Sequence, residues 1–282
     1  VHRFVTVNGV RLHLAEAGEG QSVVLLHGFP EFWYSWRSQI KALSATGWRV
    51  LAPDMRGYNL SDKPQGVRAY AIEHLVEDIA TLIREEAGGK AHLVGHDWGG
   101  VVAWRLAALH PELINKLAIL NAPHPAAYRQ VLMTGVEQWL RSWYVLLFQV
   151  PWLAESLIKA GNFTLFERAL RTQPTNPAAF TDEDIRRYKE AWSQPGALQA
   201  GLNYYRAAVR HSQAMYRSPQ EIAAPTLVLW GERDPFLSRR LLNHFRPWVP
   251  NLRIERLATS HWIQNDAPVQ VNELLAAFFR DG

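Results

Sequence analysis

The hexapeptide Gly95-His96-Asp97-Trp98-Gly99-Gly100 places an aspartate between glycines two residues away on either side. An apolar, strand-like run (91–94) precedes it and an apolar, helix-like run (101–110) follows it. A strand turning sharply into a helix presents its central side chain as a nucleophile, and the flanking positions must lack bulk for the chain to turn so tightly. Serine is the usual occupant, activated by a histidine base for attack on a carbonyl carbon. A carboxylate, with an ordinary pKa near 3.9, is ionised at neutral pH and attacks without a base. That suits a saturated carbon, and the product of attack is an ester of the enzyme itself. Taken alone, Asp97 is equally well read as the N-cap of the helix that follows.

Three further segments bear on the choice. The loop His27-Gly28-Phe29-Pro30 follows the apolar strand 22–26, where a backbone N–H can stabilise an oxyanion together with the N–H of the residue after the nucleophile. Those donors are Phe29 and Trp98, and the tight turn at Pro30 is a place for a cis peptide bond. Asp234 ends the segment 225–234 and His261 follows the segment 252–257. Separately, each has a plainer reading: a strand-ending turn, a turn aspartate before proline, a surface histidine. Together they give the chain order nucleophile, acid, histidine, each at the C-terminal end of an expected strand, where open α/β sheets form their sites.

The elements that must hold these residues alternate. Strands are expected at 3–7, 10–16, 22–27, 48–53, 91–95, 117–120, 225–234 and 252–257. Helices are expected at 71–86 and 101–110, the latter stopped by Pro111, then near 238–246 and in a final segment ending at 271–279. This is the pattern of a mostly parallel sheet covered by helices on both faces. Between about 125 and 216 strand patterns vanish and helical pieces are punctuated by Pro151, Pro174, Pro177 and Pro195, the mark of a helical insertion.

Composition excludes several classes. The 282 residues are 48% hydrophobic, enough for a substantial core. The net charge of +4 is dispersed without a basic run, so no nucleic-acid partner is expected. Cysteine is absent and no histidine pair has zinc-helix spacing, so neither disulfides, thiolate metal sites nor a metal cofactor are expected. The opening VHRFVTVNGVRLHLAE alternates like a strand rather than a signal peptide. The longest apolar stretch, 143–153, is short of the ~20 residues that a membrane span needs. A soluble protein, cytoplasmic or otherwise, without a membrane partner is expected.

With these residues in view, the chain resembles the α/β-hydrolase superfamily over essentially its full length, and within it the epoxide hydrolases. The resemblance rests on HGFPEFWYSWR (27–37), DMRGYNLSDKP (54–64), VGHDWGG (94–100), LNAPHP (120–125) and SHW (260–262). It implies an eight-stranded core built from 1–124 and 217–282, with a helical cap at 125–216 inserted after the sixth strand. It also implies two cap tyrosines facing the nucleophile, matched by Tyr144 and Tyr205, with Tyr204 competing for the second role. Neighbours on a helix point about 100° apart, so one of the two should reach the site. The implied reaction opens an apolar epoxide on Asp97 with help from Tyr144 and Tyr205. It then hydrolyses the ester with water activated by His261 and Asp234, and no cofactor takes part. Phe29, Trp98, Trp143 and Phe148 are the implied pocket residues. Haloalkane dehalogenation by the same aspartate is the rival, although Phe29 stands where a second halide donor is expected. A catalytically silent ligand-binding member of the fold is a further alternative.

Overall fold

A computed structural model describes residues 1–217 and 220–280. Residues 218, 219, 281 and 282, assigned from sequence to the resumed core, lie outside the described residues.

All eight expected strands form: β1 (His2–Val7), β2 (Val10–Ala17), β3 (Gln21–Leu26), β4 (Trp48–Pro53), β5 (Ala91–His96), β6 (Ile114–Leu120), β7 (Thr226–Gly231) and β8 (Leu252–Leu257). They make one sheet in the order β1-β2-β4-β3-β5-β6-β7-β8. Pairing is antiparallel at β1/β2 and β2/β4 and parallel from β4 onward. β5 is buried at every position. Burial without alternation is what a central parallel strand covered on both faces shows. The helices are α1 (Arg37–Ser44), α2 (Ile72–Glu86), α3 (Trp98–Leu109), α4 (Pro125–Thr134), α5 (Glu137–Arg141), α6 (Trp143–Phe148), α7 (Leu153–Thr172), α8 (Asp182–Trp192), α9 (Ala197–Arg210), α10 (Gln213–Tyr216), α11 (Ile263–Asp266) and α12 (Pro268–Arg280). The buried residues fall into two apolar clusters, one containing Leu26, Trp104 and Trp230 and the other Trp36, Val94 and Leu275. This is the layered α/β-hydrolase fold.

Several boundaries differ from the sequence reading, among them that of β7, which stops at Gly231 rather than 234. β6 begins three residues early, because the β5/β6 ladder shifts register between Ala91 and Leu93 and recruits Ile114. α3 starts at Trp98 rather than 101, since nothing separates the turn at Asp97 from the helix. The helix expected near 238–246 is a 3-10 turn (Arg239–His244), opened by the Ser238 hydroxyl accepting from Arg240 N at 3.2 Å. Pro247 lacks an N–H and restricts the residue before it, which stops the run from extending further.

Between β6 and β7 the described residues form α4 to α10 and no strand. α7 is broken at Ala160–Phe163, where Gly161, Asn162 and Phe163 have positive φ. Among the described residues no helix is long and apolar enough to cross a membrane.

Candidate active site

The elbow is a consequence of close packing. Asp97 has φ 49° and ψ −119°, a combination that is costly for a residue with a β-carbon and persists only where surroundings over-determine it. A Cβ on Gly95 would lie 2.5 Å from the Gly99 carbonyl oxygen and 2.6 Å from Gly100 Cα. One on Gly99 would strike the backbone carbonyl of Leu26 at the end of β3. The two flanking positions are therefore glycine because strand, turn and helix meet there without room for a side chain.

The N-cap reading of Asp97 fails. Its carboxylate makes no cap hydrogen bond to α3. Instead Oδ1 accepts from Phe29 N at 2.8 Å, across 68 residues of chain. Trp98 is the first residue of α3, so its N–H is one of the helix's donors without an intrahelical partner. The Phe29–Pro30 peptide bond is cis.

His261 lies between two carboxylates. Its Nε2 is 3.6 Å from Asp97 Oδ2, and its Nδ1 donates to Asp234 Oδ2 at 2.7 Å. Asp234 satisfies the turn reading and the site reading at once. Oδ1 accepts from Phe236 N at 2.7 Å and Leu237 N at 3.0 Å, closing a turn, while Oδ2 faces the histidine.

Asn121, two residues before Pro123 in the LNAPHP segment, donates from Nδ2 to Asp234 Oδ2 at 2.6 Å. Its Oδ1 accepts from Gly231 N at 2.8 Å. Sequence reasoning assigned it no role; the available signal was an asparagine at a strand end, a residue type that tolerates the positive φ of 39° found there. A buried pair behind the histidine was missed as well. His96 Nδ1 is 2.8 Å from Glu31 Oε2 and its Nε2 is 2.9 Å from the His261 carbonyl oxygen. Both of those partners are acceptors.

Burial alone would lower the His261 pKa, but the charges and hydrogen bonds of Asp234 and Asp97 raise it to about 10. Burial would raise that of Asp97, yet His261, with help from the Phe29 N–H, holds it below the ordinary value. The resting pair is thus a carboxylate beside an imidazolium.

Tyr144 and Tyr205 both border the space over Asp97. One cavity of about 610 Å³ is lined by Asp97, His261, both tyrosines, Phe29 and Phe148. A second, of about 400 Å³, shares Asp97 and both tyrosines and adds Trp98. The carboxylate therefore sits where two apolar arms meet, each of a size that suits a small organic ligand. The tyrosine rings are 5.9 Å apart at nearly right angles. Desolvation first, and the Asp97 charge second, push both phenols well above their usual range, so they remain protonated. Trp143 is at the mouth of the larger arm and 63% exposed, whereas Phe148 is buried.

Tyr204 faces elsewhere. It is fully buried and its hydroxyl donates to the Arg56 carbonyl oxygen at 2.7 Å. Tyr204→Phe should leave turnover unchanged and lower stability by about 1–2 kcal/mol, because a buried carbonyl loses its donor. Urea unfolding measured beside steady-state rates checks both halves of that statement.

The family model of the alpha/beta hydrolase fold matches residues 21–268. AB hydrolase superfamily protein YfhM of Bacillus subtilis is 45% identical, with 99% of this chain and 98% of that protein covered. Epoxide hydrolase 2 of Caenorhabditis elegans is 38% identical, with 99% of this chain and 80% of that protein covered. Among solved structures, a point mutant of an epoxide hydrolase from Bacillus megaterium superposes with a TM-score of 0.91 at 32% identity, covering 99% of this chain and 100% of that one. The chain is therefore a hydrolase of the alpha/beta hydrolase fold and belongs to its epoxide hydrolase family.

Proposed function

We propose that the protein converts an apolar epoxide and water to a 1,2-diol through a covalent ester on Asp97. One observation carries this reading. A half-buried, ionised carboxylate on a strained elbow, with one oxygen engaged by a backbone N–H, shares a cavity with two protonated phenols and a histidine. The names of the relatives support the substrate class. We further assign residues 125–216 as a cap that supplies the tyrosines and residues 1–124 with 217–282 as the core that supplies Asp97, Asp234 and His261.

Asp97 Oδ1 is held by Phe29 N–H, which leaves Oδ2 to attack. Oδ2 bonds to a ring carbon of the epoxide as the C–O bond of that carbon breaks. The departing oxygen takes a proton or a strong hydrogen bond from Tyr144 and Tyr205, which burial keeps in the acid form. Esterification removes the charge on Asp97, one of the two groups that raise the His261 pKa. His261 then becomes able to lose its proton, which restores the phenol that gave one up, and the first half-reaction thereby prepares the base for the second. Water, deprotonated by His261, adds to the Asp97 carbonyl carbon. The developing oxyanion on Oδ1 meets the N–H groups of Phe29 and Trp98, and collapse expels the diol oxygen, which takes the proton of the new carboxyl group and leaves Asp97 ionised beside the imidazolium. Asn121 and the N–H groups of Phe236 and Leu237 keep Asp234 oriented toward His261.

A halide leaving group needs N–H donors rather than a proton. At the position of a second donor the protein presents the Phe29 ring, which packs edge-on to Phe148, Phe166 and Tyr205. The tyrosine pair favours an epoxide oxygen over a halide.

The test is a single turnover in ¹⁸O-water with enzyme in excess over styrene oxide. The first diol should carry unlabelled oxygen from Asp97, with the label left in the protein; solvent oxygen in that diol would overturn the ester mechanism. A parallel screen of aryl and alkyl epoxides beside bromoalkanes should give diols and no bromide. Bromide without diol would instead favour dehalogenation, and tight binding without any product would favour a silent pocket.

The pH dependence follows from the directions of the shifts. A lowered Asp97 pKa keeps the nucleophile ionised into mild acid, and raised tyrosine pKa values keep the acids protonated into alkali. Stopped-flow alkylation should accordingly be flat from about pH 5 to about pH 9, a range set by the ordinary carboxyl and phenol values that these groups exceed on either side. A steep fall within that range would contradict the assignment.

A further inference from the structure

We propose that the outer face of the cap seats the protein on an anionic phospholipid surface, through which apolar substrate enters the cavity. A surface helix ordinarily turns its apolar stripe inward. The α5–α6 segment presents an apolar stripe outward as well. Val136, Trp139, Leu140, Trp143, Leu146 and Val150 recur at helical spacing, and all are at least 45% exposed. α6 also turns Tyr144, Leu147 and Phe148 inward, whereas the inward side of α5 carries polar groups. Gln138 is fully buried and donates to Ser142 Oγ at 2.9 Å and the Phe236 carbonyl at 2.8 Å, while its Oε1 accepts from Ser238 N at 2.9 Å. Trp152, 81% exposed, and Leu153 and Leu157 of α7 follow directly in the chain.

An apolar face of this extent marks a protein or membrane contact, and two observations select lipid. The first is its relation to the cavity. Leu140 and Trp143 belong to the rim of the larger arm, and Trp139 and Leu146 to that of the smaller. A second copy of the chain seated here would stop both mouths, whereas fluid acyl chains would feed them. The second is charge. Residues 125–172 carry five basic and three acidic side chains. Each acid is already ion-paired: Glu137 with Arg141, Glu155 with Arg206, and Glu167 with Arg171 and Lys189. Arg141 and Arg171 are taken up in these pairs, so the cationic surplus is Arg129, Lys159 and Arg168, and exposed tryptophans among apolar and basic residues suit the headgroup boundary. The sequence reading expected no membrane partner because no segment can span a bilayer, and surface seating requires none. The proposal rests on the function above only in taking the ligand to be apolar.

The test is co-sedimentation of the full chain with vesicles of phosphatidylcholine alone or with 30% phosphatidylglycerol, without substrate. Wild type should pellet with the anionic vesicles, with a blue-shifted tryptophan emission, and bind less tightly in high salt. The triple variant Val136→Ser, Trp152→Ser, Leu157→Ser alters no residue that lines either arm. It should keep the wild-type melting temperature and bind at least tenfold more weakly. Wild type remaining in the supernatant would overturn the proposal. So would equal binding of wild type and variant, equal binding to both vesicle types, or a wild-type dimer in sedimentation velocity that the variant dissolves. Because no turnover is measured, failure here is distinct from failure of the epoxide reading.

Discussion

His261→Gln protein mixed with excess styrene oxide gains one equivalent of substrate on the peptide carrying Asp97, and its steady-state diol formation falls by about 10⁴-fold or more. Glutamine fills similar space and can still donate to Asp234, but it cannot accept a proton from water. The nucleophile keeps the Phe29 N–H on Oδ1 and needs no base, so the first half-reaction survives. The second has no substitute. Asp234 is turned away from the reacting carbon, its oxygens committed to the Phe236 and Leu237 N–H groups and to Asn121. Intact-mass and peptide spectrometry read the adduct, and a product assay reads the release. Absence of the adduct would show that the histidine acts in the first step and that the two half-reactions are not separated as proposed.

Alkylation slows by about 10²-fold in Tyr144→Phe or Tyr205→Phe and by about 10⁴-fold in the double variant, the range expected for positioned general acids. An epoxide must release an alkoxide, a much stronger base than phenolate, so the oxygen cannot depart into an apolar cavity without a donor. Within the cavity the two phenols stand on different helices, α6 and α9, with rings 5.9 Å apart, which allows both to address one oxygen. Packing should be preserved, because phenylalanine retains each ring in its edge-on contacts with Phe148. Quenching of tryptophan emission in a stopped-flow instrument reports the step, since Trp98 lies 5.2 Å from the Tyr205 ring. A wild-type rate in the double variant would remove both residues from the mechanism. Urea midpoints near that of wild type would show that a slower rate reflects lost hydroxyls rather than a damaged fold.

Sequence periodicity was informative where a segment has one dominant environment. The central strand β5, buried on both faces, and the amphipathic α2 were legible to within a residue, and β6 and β7 to within three. So were the elbow at Asp97 and the order of Asp97, Asp234 and His261, since local sterics and strand ends constrain residue type directly. Periodicity was silent within α9, where every residue from Ala200 to Ala207 is buried and no exposed stripe marks a solvent side, so it could not separate Tyr204 from Tyr205. What distinguishes them is what lies opposite each: the Arg56 carbonyl for one and the cavity for the other.

The sequence by itself determined the layered α/β architecture, the helical insertion, the glycine-flanked turn and the residue types available for reaction. Only the tertiary structure decided that Phe29 N–H engages Asp97 from 68 residues away, that Asn121 buttresses Asp234, and that α5–α6 leaves an apolar stripe facing outward. The physical reason is common to all three. Local sequence governs the shape and the faces of an element, but hydrogen bonds and cavities form between elements distant in the chain, and which surfaces meet is set by how the whole chain packs.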